Sequence, residues 1–201
     1  MPTSFADMRT AVQAITNRPE LVSITDMAIR LATLRAHGID FFPRDRASMV
    51  LSYTPVASSP FTEIAGVYTT DPLLRTPEFM QSEELVTYAA TENLAYIPSV
   101  QDFWDEDNIL KYSVFTQIGD TLRCSFASAT GRARLWYYRN PDVSVSSYSS
   151  WIADLHKDEL AMWAAGIVWQ RTGLQEQAAG AQQTVLGIKD LLITSYLTSK
   201  K

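Results

Sequence analysis

The sequence has one cysteine, two histidines and eight glycines among 201 residues, and each shortage excludes a class of protein. The single cysteine, Cys124, leaves no intrachain disulfide, and it cannot supply a zinc site built from paired cysteines. The glycines do not form G-x-G-x-x-G or G-x-x-x-x-G-K-[ST], so a nucleotide-binding loop of either kind is not indicated.

Long apolar runs and an excess of basic residues are also missing. No segment approaches the roughly 18 consecutive apolar residues of a membrane-spanning helix, and residues 1–13 lack the pattern of a signal peptide. The formal net charge of -5 argues against a protein that coats nucleic acid, because tight binding to phosphates needs concentrated lysine and arginine. We therefore expect a soluble protein made in a reducing cytoplasm, with no membrane partner.

The residues that catalysis commonly uses are few and dispersed. His37 stands at a predicted helix end beside Gly38, where a histidine can satisfy terminal carbonyls, and His156 lies in a charged segment expected to face solvent. No G-x-S-x-G motif accompanies either histidine. Cys124 falls in an alternating strand pattern and is predicted to be buried. We predict no catalytic residue and no cofactor, and we expect the protein not to be an enzyme.

The acidic residues between 102 and 107 and the many aromatic residues are both explained better by structural roles than by binding of a metal or nucleic acid. The carboxylates Asp102, Asp105, Glu106 and Asp107 lack the spacing of an EF-hand, so a solvated loop or a contact with a basic neighbour is favoured over a metal site. The many aromatic residues favour a core and a subunit interface over base stacking, since only residues 132–139 offer basic surroundings.

Hydrophobic periodicity predicts helices at both ends of the chain. They cover residues 4–17, 23–37, 149–172 and 174–199, with caps at Ser4, at Ser23 or Thr25, and at Ser149 or Ser150. Gly173 separates the last two helices, and the spacing of alternating four and three in the final helix predicts that they pack as an antiparallel hairpin.

Between the helices the pattern changes to a period of two. Strands are predicted at residues 49–53, 63–68, 112–118, 121–126 and 133–139, the last three forming an antiparallel meander. Residues 78–97 fit a helix from Ser82 or a strand, and the helix is preferred.

The expected fold class is α+β, because helices and strands are segregated along the chain. It is a helical bundle of an N-terminal and a C-terminal hairpin with a small antiparallel β-sheet inserted between them. We expect a single domain over 1–201, in which 1–38 and 147–199 form the helical part and 48–141 is mostly strand and loop.

The C-terminal half resembles the head-to-tail adaptor (connector) proteins of tailed bacteriophages. The resemblance is most specific in residues 134–178. It rests on the strand and exit Arg134-Leu135-Trp136-Tyr137-Tyr138-Arg139-Asn140-Pro141, on Ser149-Ser150-Trp151-Ile152, Asp158-Glu159-Leu160 and Ala164-Ala165, and on Gly173-Leu174-Gln175-Glu176-Gln177-Ala178. The N-terminal helical hairpin is similar as well.

The resemblance implies a structural protein of the virion neck. Such adaptors form homo-oligomeric rings, commonly of twelve subunits, beneath the portal protein, where they extend the DNA channel and give tail or nozzle proteins a docking platform. Genomic DNA passes through the lumen without sequence-specific binding. Carried onto this chain, the portal or subunit interface is expected at Leu191, Leu192, Tyr196 and Leu197.

Other functions remain open at this point. A tail terminator or tail-tube gatekeeper would be richer in strands, and a small hydrolase would need its histidine and acids brought together by the fold. A helical adaptor of cellular origin is a further alternative.

Overall fold

The structure is a computed structural model that describes residues 2–54, 61–84, 87, 90–104, 113–126 and 131–198. It divides into two compact units, one formed by Met1–Asp45 with Asn140–Lys201 and the other by Arg46–Arg139. The first unit is helical and combines both ends of the chain, and the second holds the β-sheet.

Along the chain, the described elements follow a helix–sheet–helix order. They are α1 (Phe5–Thr16), α2 (Val22–His37), β1 (Arg46–Ser52), β2 (Thr62–Ala65), α3 (Val67–Thr70), β3 (Leu74–Glu83), β4 (Ala90–Tyr96), α4 (Val100–Phe103), β5 (Val114–Ile118), β6 (Thr121–Ser125), β7 (Arg132–Arg139), α5 (Trp151–Leu155), α6 (Lys157–Arg171) and α7 (Gln175–Thr198). A 3₁₀ turn, Pro43–Asp45, precedes β1. No helix in the described residues is long and apolar enough to cross a membrane.

Side-chain caps fix the start of α1 and α5 at two predicted positions. Ser4 Oγ accepts from the Asp7 N–H at 3.1 Å, and Asp7 Oδ2 accepts from the Ser4 N–H at 3.0 Å, which completes a reciprocal capping box. Ser150 Oγ accepts from the Ala153 N–H at 3.1 Å at the start of α5. Each contact satisfies a backbone donor that the helix itself leaves unpaired.

Two predicted helix boundaries are wrong. The second helix begins at Val22 without a side-chain cap, so neither Ser23 nor Thr25 caps it. The helix predicted over residues 149–172 is interrupted at His156, whose φ of -133° and ψ of 48° lie outside the helical region and separate α5 from α6. Hydrophobic periodicity continues across this break, which is why the pattern did not reveal it.

α6 lies at the centre of the helical unit and packs against α1, α2 and α7. Leu160, Ala161, Ala164, Ala165 and Val168 of this helix are all buried at 0–1% exposure. Leu192 of α7 joins the same buried cluster at 0% exposure. Burial of each large aliphatic side chain contributes about 1.5–3 kcal/mol, so this cluster is the main source of stability in the unit.

A close approach between α6 and α7 explains one of the recurrent glycines. A Cβ built on Gly166 would lie 2.8 Å from the Ala181 Cβ, whereas no atom of the described residues lies within 4 Å of one built on Gly180 or Gly187. Gly166 therefore permits helix contact inside the chain, while the other two sit in open space.

We expect Gly166→Ala to lower the free energy of unfolding by about 1–3 kcal/mol, because the added methyl overpacks the contact with Ala181. Gly180→Ala is the matched control, and it should raise stability by up to about 1 kcal/mol through its better helix propensity. Denaturant titration followed by circular dichroism at the helical band measures both. Equal effects of the two substitutions would contradict the close contact.

The described residues of the sheet unit form one curled sheet of seven strands in the order β1-β7-β3-β4-β5-β6-β2. All neighbouring strands are antiparallel except β4 and β5, which are parallel. Alternate side chains form a separate buried cluster, whose fully buried members include Met80, Leu94, Phe115, Leu122 and Leu135.

The predicted fold class is therefore wrong. The molecule is not a helical bundle with a small sheet: it is a mixed α/β structure, 45% helical and 29% strand, with one seven-stranded sheet. The prediction of a helix within residues 78–97 is also wrong, because these residues supply the end of β3 and all of β4. The predicted meander is correct only for the β5–β6 hairpin, because β7 lies between β1 and β3.

Candidate functional site

The four residues predicted to contact the portal or a neighbouring subunit lie in α7. Leu192 is fully buried in the helical core. The side chains of Leu191, Tyr196 and Leu197 lie outside the described part of the structure. An interface at these four positions stays a prediction, and Leu192 carries a packing role in the subunit itself.

Ser150, His37 and Asp45 form a buried hydrogen-bonded chain in the helical unit. His37 Nδ1 lies 2.8 Å from Asp45 Oδ1, and His37 Nε2 lies 2.9 Å from Ser150 Oγ. Trp151 Nε1–H donates to the same Asp45 oxygen at 2.7 Å. The order carboxylate, imidazole, hydroxyl is that of a hydrolytic triad, and no local motif in the sequence connected these residues.

The hydrogen-bond directions follow from the neighbours of each group. A carboxylate offers acceptors, so Asp45 accepts from Trp151 and from the Nδ1–H of His37. In the neutral imidazole, Nε2 then accepts from the Ser150 hydroxyl, whose oxygen accepts from the Ala153 N–H. Ser150 thus joins α2 to α5, and His37 joins both to Asp45 of the 3₁₀ turn.

Burial argues that this constellation is structural. Ser150 is 4% exposed, His37 2% and Asp45 6%, so all three groups are covered by other residues of the protein. Ser150 Oγ also accepts from the Ala153 N–H and so caps α5, which is a structural role. The predicted surface position of His37 is wrong, because the residue is 2% exposed and bonds the side chains of Asp45 and Ser150, 8 and 113 residues away.

We expect Ser150→Ala to lower the free energy of unfolding by about 1–2 kcal/mol, since it removes a helix cap and the partner of His37. Ser149→Ala, an exposed neighbour, should change it by less than about 0.5 kcal/mol. Denaturant titration measures both. A fluorophosphonate probe should leave the wild-type protein unlabelled, and labelling that disappears in Ser150→Ala would instead indicate a hydrolase.

The thiol of Cys124 is likewise unsuited to chemistry. It is fully buried in β6, as predicted, and burial raises the pKa of the thiol. Of the acidic cluster, Asp102 lies in the first turn of α4, whereas Asp105, Glu106 and Asp107 lie outside the described residues.

An aromatic and arginine cluster, which we call the Trp136 face, lies on the sheet. Trp136 and Phe79 stack with ring centroids 5.8 Å apart, and the Arg46 guanidinium lies 5.0 Å from the centroid of Trp136. Gln81 accepts from the Trp136 indole N–H at 3.1 Å, and Glu78 pairs with Arg46 at 2.6 Å. The face joins β1, β7 and β3 through side chains that no single segment reveals.

Carboxylates pair with three arginines of this face. Glu78 holds Arg46, and Arg132 and Arg134, on the same side of β7 as Trp136, share the single carboxylate of Glu83 at 2.9 and 2.6 Å. Proteins that stack aromatic side chains on nucleic-acid bases also need arginines or lysines that are free to contact the phosphates. The paired charges therefore favour a contact with protein over one with nucleic acid.

A groove of about 430 Å³ lies in the helical unit between α2, α6 and α7. The described residues that line it are mainly apolar, with Trp163, Ile167 and Val185 among them, and its polar side chains are Arg35 and two glutamines. No carboxylate or histidine is present in that lining, so it offers a packing surface rather than acid–base chemistry.

Comparison with known proteins adds no relatives. A scan against protein-family models found no match, and a search of curated proteins found none either. Function is therefore inferred from the residues and geometry of this chain.

Proposed function

We propose that this chain is a head-to-tail adaptor of a tailed bacteriophage, made in the host cytoplasm and located in the virion neck. In this proposal, copies of the chain form a ring beneath the portal protein, commonly twelve in such adaptors. The ring extends the DNA channel and gives tail or nozzle proteins a surface to dock on. The protein acts by assembly and carries no catalytic site.

The observation that carries the proposal is the run of elements from β7 to α7. β7 carries Tyr137-Tyr138 and is followed at once by Asn140-Pro141, a short linker and the Ser150-capped α5. Gly173, with a φ of +80°, then separates α6 from α7. This succession of strand, Pro-containing exit, capped helix and glycine break is the pattern on which the resemblance to adaptors rests.

The distribution of charge supports passage of DNA rather than its binding. The chain has a formal net charge of -5, and Arg46, Arg132 and Arg134 on the Trp136 face are held by Glu78 and Glu83. A lumen lined by such a protein would not retain phosphates through counterion release. The aromatic residues then serve packing and protein contacts, where they bury large areas.

Negative-stain electron microscopy of the protein alone and mixed with its cognate portal tests the proposal. We expect rings, or density added beneath the portal. Mass photometry of the rings should give a mass that is a whole multiple of the subunit mass. A protein that stays monomeric by light scattering and adds no density to the portal would overturn it.

The seven-stranded sheet favours a second candidate, a tail-tube gatekeeper or tail terminator, more than a small sheet would. The two functions differ in partner. An adaptor binds the portal directly, whereas a terminator binds the tail tube, so pull-down with each purified partner separates them.

A further inference from the structure

β1 is an edge strand whose outer side is unpaired among the described residues. All seven of its residues pair with β7 in one continuous antiparallel register, from Arg46 opposite Tyr138 to Ser52 opposite Arg132. No other backbone partner is found for β1 within the described part of the chain. In an antiparallel strand, alternate residues direct both N–H and C=O to the same side, so three or four residues present both groups outward.

The sequence of β1 lacks the features that commonly protect an edge strand against pairing. Exposed edge strands are commonly blocked by proline, lysine, a bulge or short length, and β1 has seven residues with no proline, no lysine and no register shift. Its one charge, Arg46, stands at the end of the strand and is held by Glu78 at 2.6 Å. Val50 is 37% exposed on the outward face. Such an edge accepts an added strand.

The opposite edge of the same sheet is β2, and its pattern matches that of β1. Thr62 and Ile64 are buried while Glu63 and Ala65 are exposed, and β1 likewise alternates between buried Met49 and Leu51 and exposed neighbours. β2 has β6 as its partner on one side and no backbone partner on the other among the described residues. Pairing β1 with β2 would therefore continue both the buried and the exposed face without a slip.

We infer that β1 of one copy of this chain pairs with β2 of the next copy, so that the sheet continues across the subunit boundary. The inference rests on the proposed ring. Two different edges make a head-to-tail contact, and contacts of this kind close into rings when the rotation between copies allows. A contact between two copies of β1 would instead be two-fold symmetric and end at a dimer.

Disulfide cross-linking tests this contact, because the chain has a single cysteine and that cysteine is fully buried. Cysteines are introduced at the exposed positions Ser48, Val50 or Ser52 of β1, each together with Ala65→Cys in β2. Directly opposed residues on one face of an antiparallel pair bring their Cβ atoms close enough for a disulfide. These three pairs leave out the face-matched register that sets Arg46 opposite Ala65, so a fourth double variant combines Ser48→Cys with Glu63→Cys, both at exposed positions.

We expect one of the four double variants, oxidised after assembly with the portal, to give a ladder of linked dimers, trimers and larger species. Reduction should abolish the ladder, and each single variant should remain monomeric on a denaturing gel. Dimers from Val50→Cys alone would overturn the inference in favour of two copies of β1. Rings that form normally without cross-links in any double variant would overturn it while leaving the proposed function intact. Absence of rings altogether would overturn the proposed function, and the inference with it.

Discussion

Leu192→Ala should lower the free energy of unfolding of the helical unit by about 3 kcal/mol, within the range for a buried leucine truncated to alanine. Leu192 is fully buried and joins α7 to the core that α6 organises. Hydrogen exchange of the α6 and α7 amides measures the loss of stability in these two helices, and circular dichroism in denaturant measures it for the helical content as a whole. Gln183→Ala, on an exposed position of the same helix, is the control and should change stability by less than about 0.5 kcal/mol.

The burial of Leu192 also decides how the predicted portal contact should be tested. A chain ending after Asp190 would lose Leu192 along with Leu191, Tyr196 and Leu197, so failure to assemble could reflect unfolding alone. A chain ending after Thr194 keeps Leu192 and removes Tyr196 and Leu197. We expect this shorter truncation to retain the helical melting curve and to lose binding to the portal. Normal portal binding by the truncated protein would contradict an interface at Tyr196 and Leu197.

The helical unit was predictable where the physical signals are local. Ser4 and Ser150 are caps within three residues of the donors they satisfy, and Gly173 adopts the positive φ that ends α6. Apolar spacing likewise placed α6 and α7 as a packed hairpin. Each of these features depends on residues that are close in sequence.

The His37 network shows why the site could not be read from the same signals. His37 stands beside Gly38 at a helix end, where its local sequence favours a capping role. Its partners are Asp45, after a loop, and Ser150, after the whole sheet unit. Only tertiary structure brings the three together, and the same tertiary structure buries them.

The size and strand order of the sheet could not be predicted for a related reason. β3 pairs with β7, so that Met80 lies opposite Leu135, and neither strand adjoins the other in sequence. The run Glu83-Glu84-Leu85 favours a helix by local propensity, yet Glu83 is held in β3 by Arg132 and Arg134. Strand preference depends strongly on such cross-strand partners. The Trp136 face could not be predicted from local sequence either, because Arg46, Phe79 and Trp136 belong to three different strands.

Glu83→Ala should lower the free energy of unfolding of the sheet unit by about 2–3 kcal/mol, a value discounted because its arginine partners are partly solvated. Glu83 has a side chain only 5% exposed, while Arg132 and Arg134 are 21% and 32% exposed. Removing the carboxylate leaves two guanidiniums close together without the charge that holds them. Hydrogen exchange of the β3 and β7 amides measures the loss, and Glu84→Ala, at an exposed neighbour, is the control.

The Glu83 carboxylate should also make the stability of the sheet unit decrease as the pH falls into the acid range. Burial raises the pKa of Glu83, but hydrogen bonds from Arg134 and Arg132 outweigh it and hold the pKa below its ordinary value of 4.5. The stabilisation is therefore complete above pH 4.5 and is lost as the pH falls through the lowered value in the folded state. The stability difference between wild type and Glu83→Gln should stay constant at higher pH and shrink in acid. A difference that grows in acid would contradict the pairing of Glu83 with the two arginines.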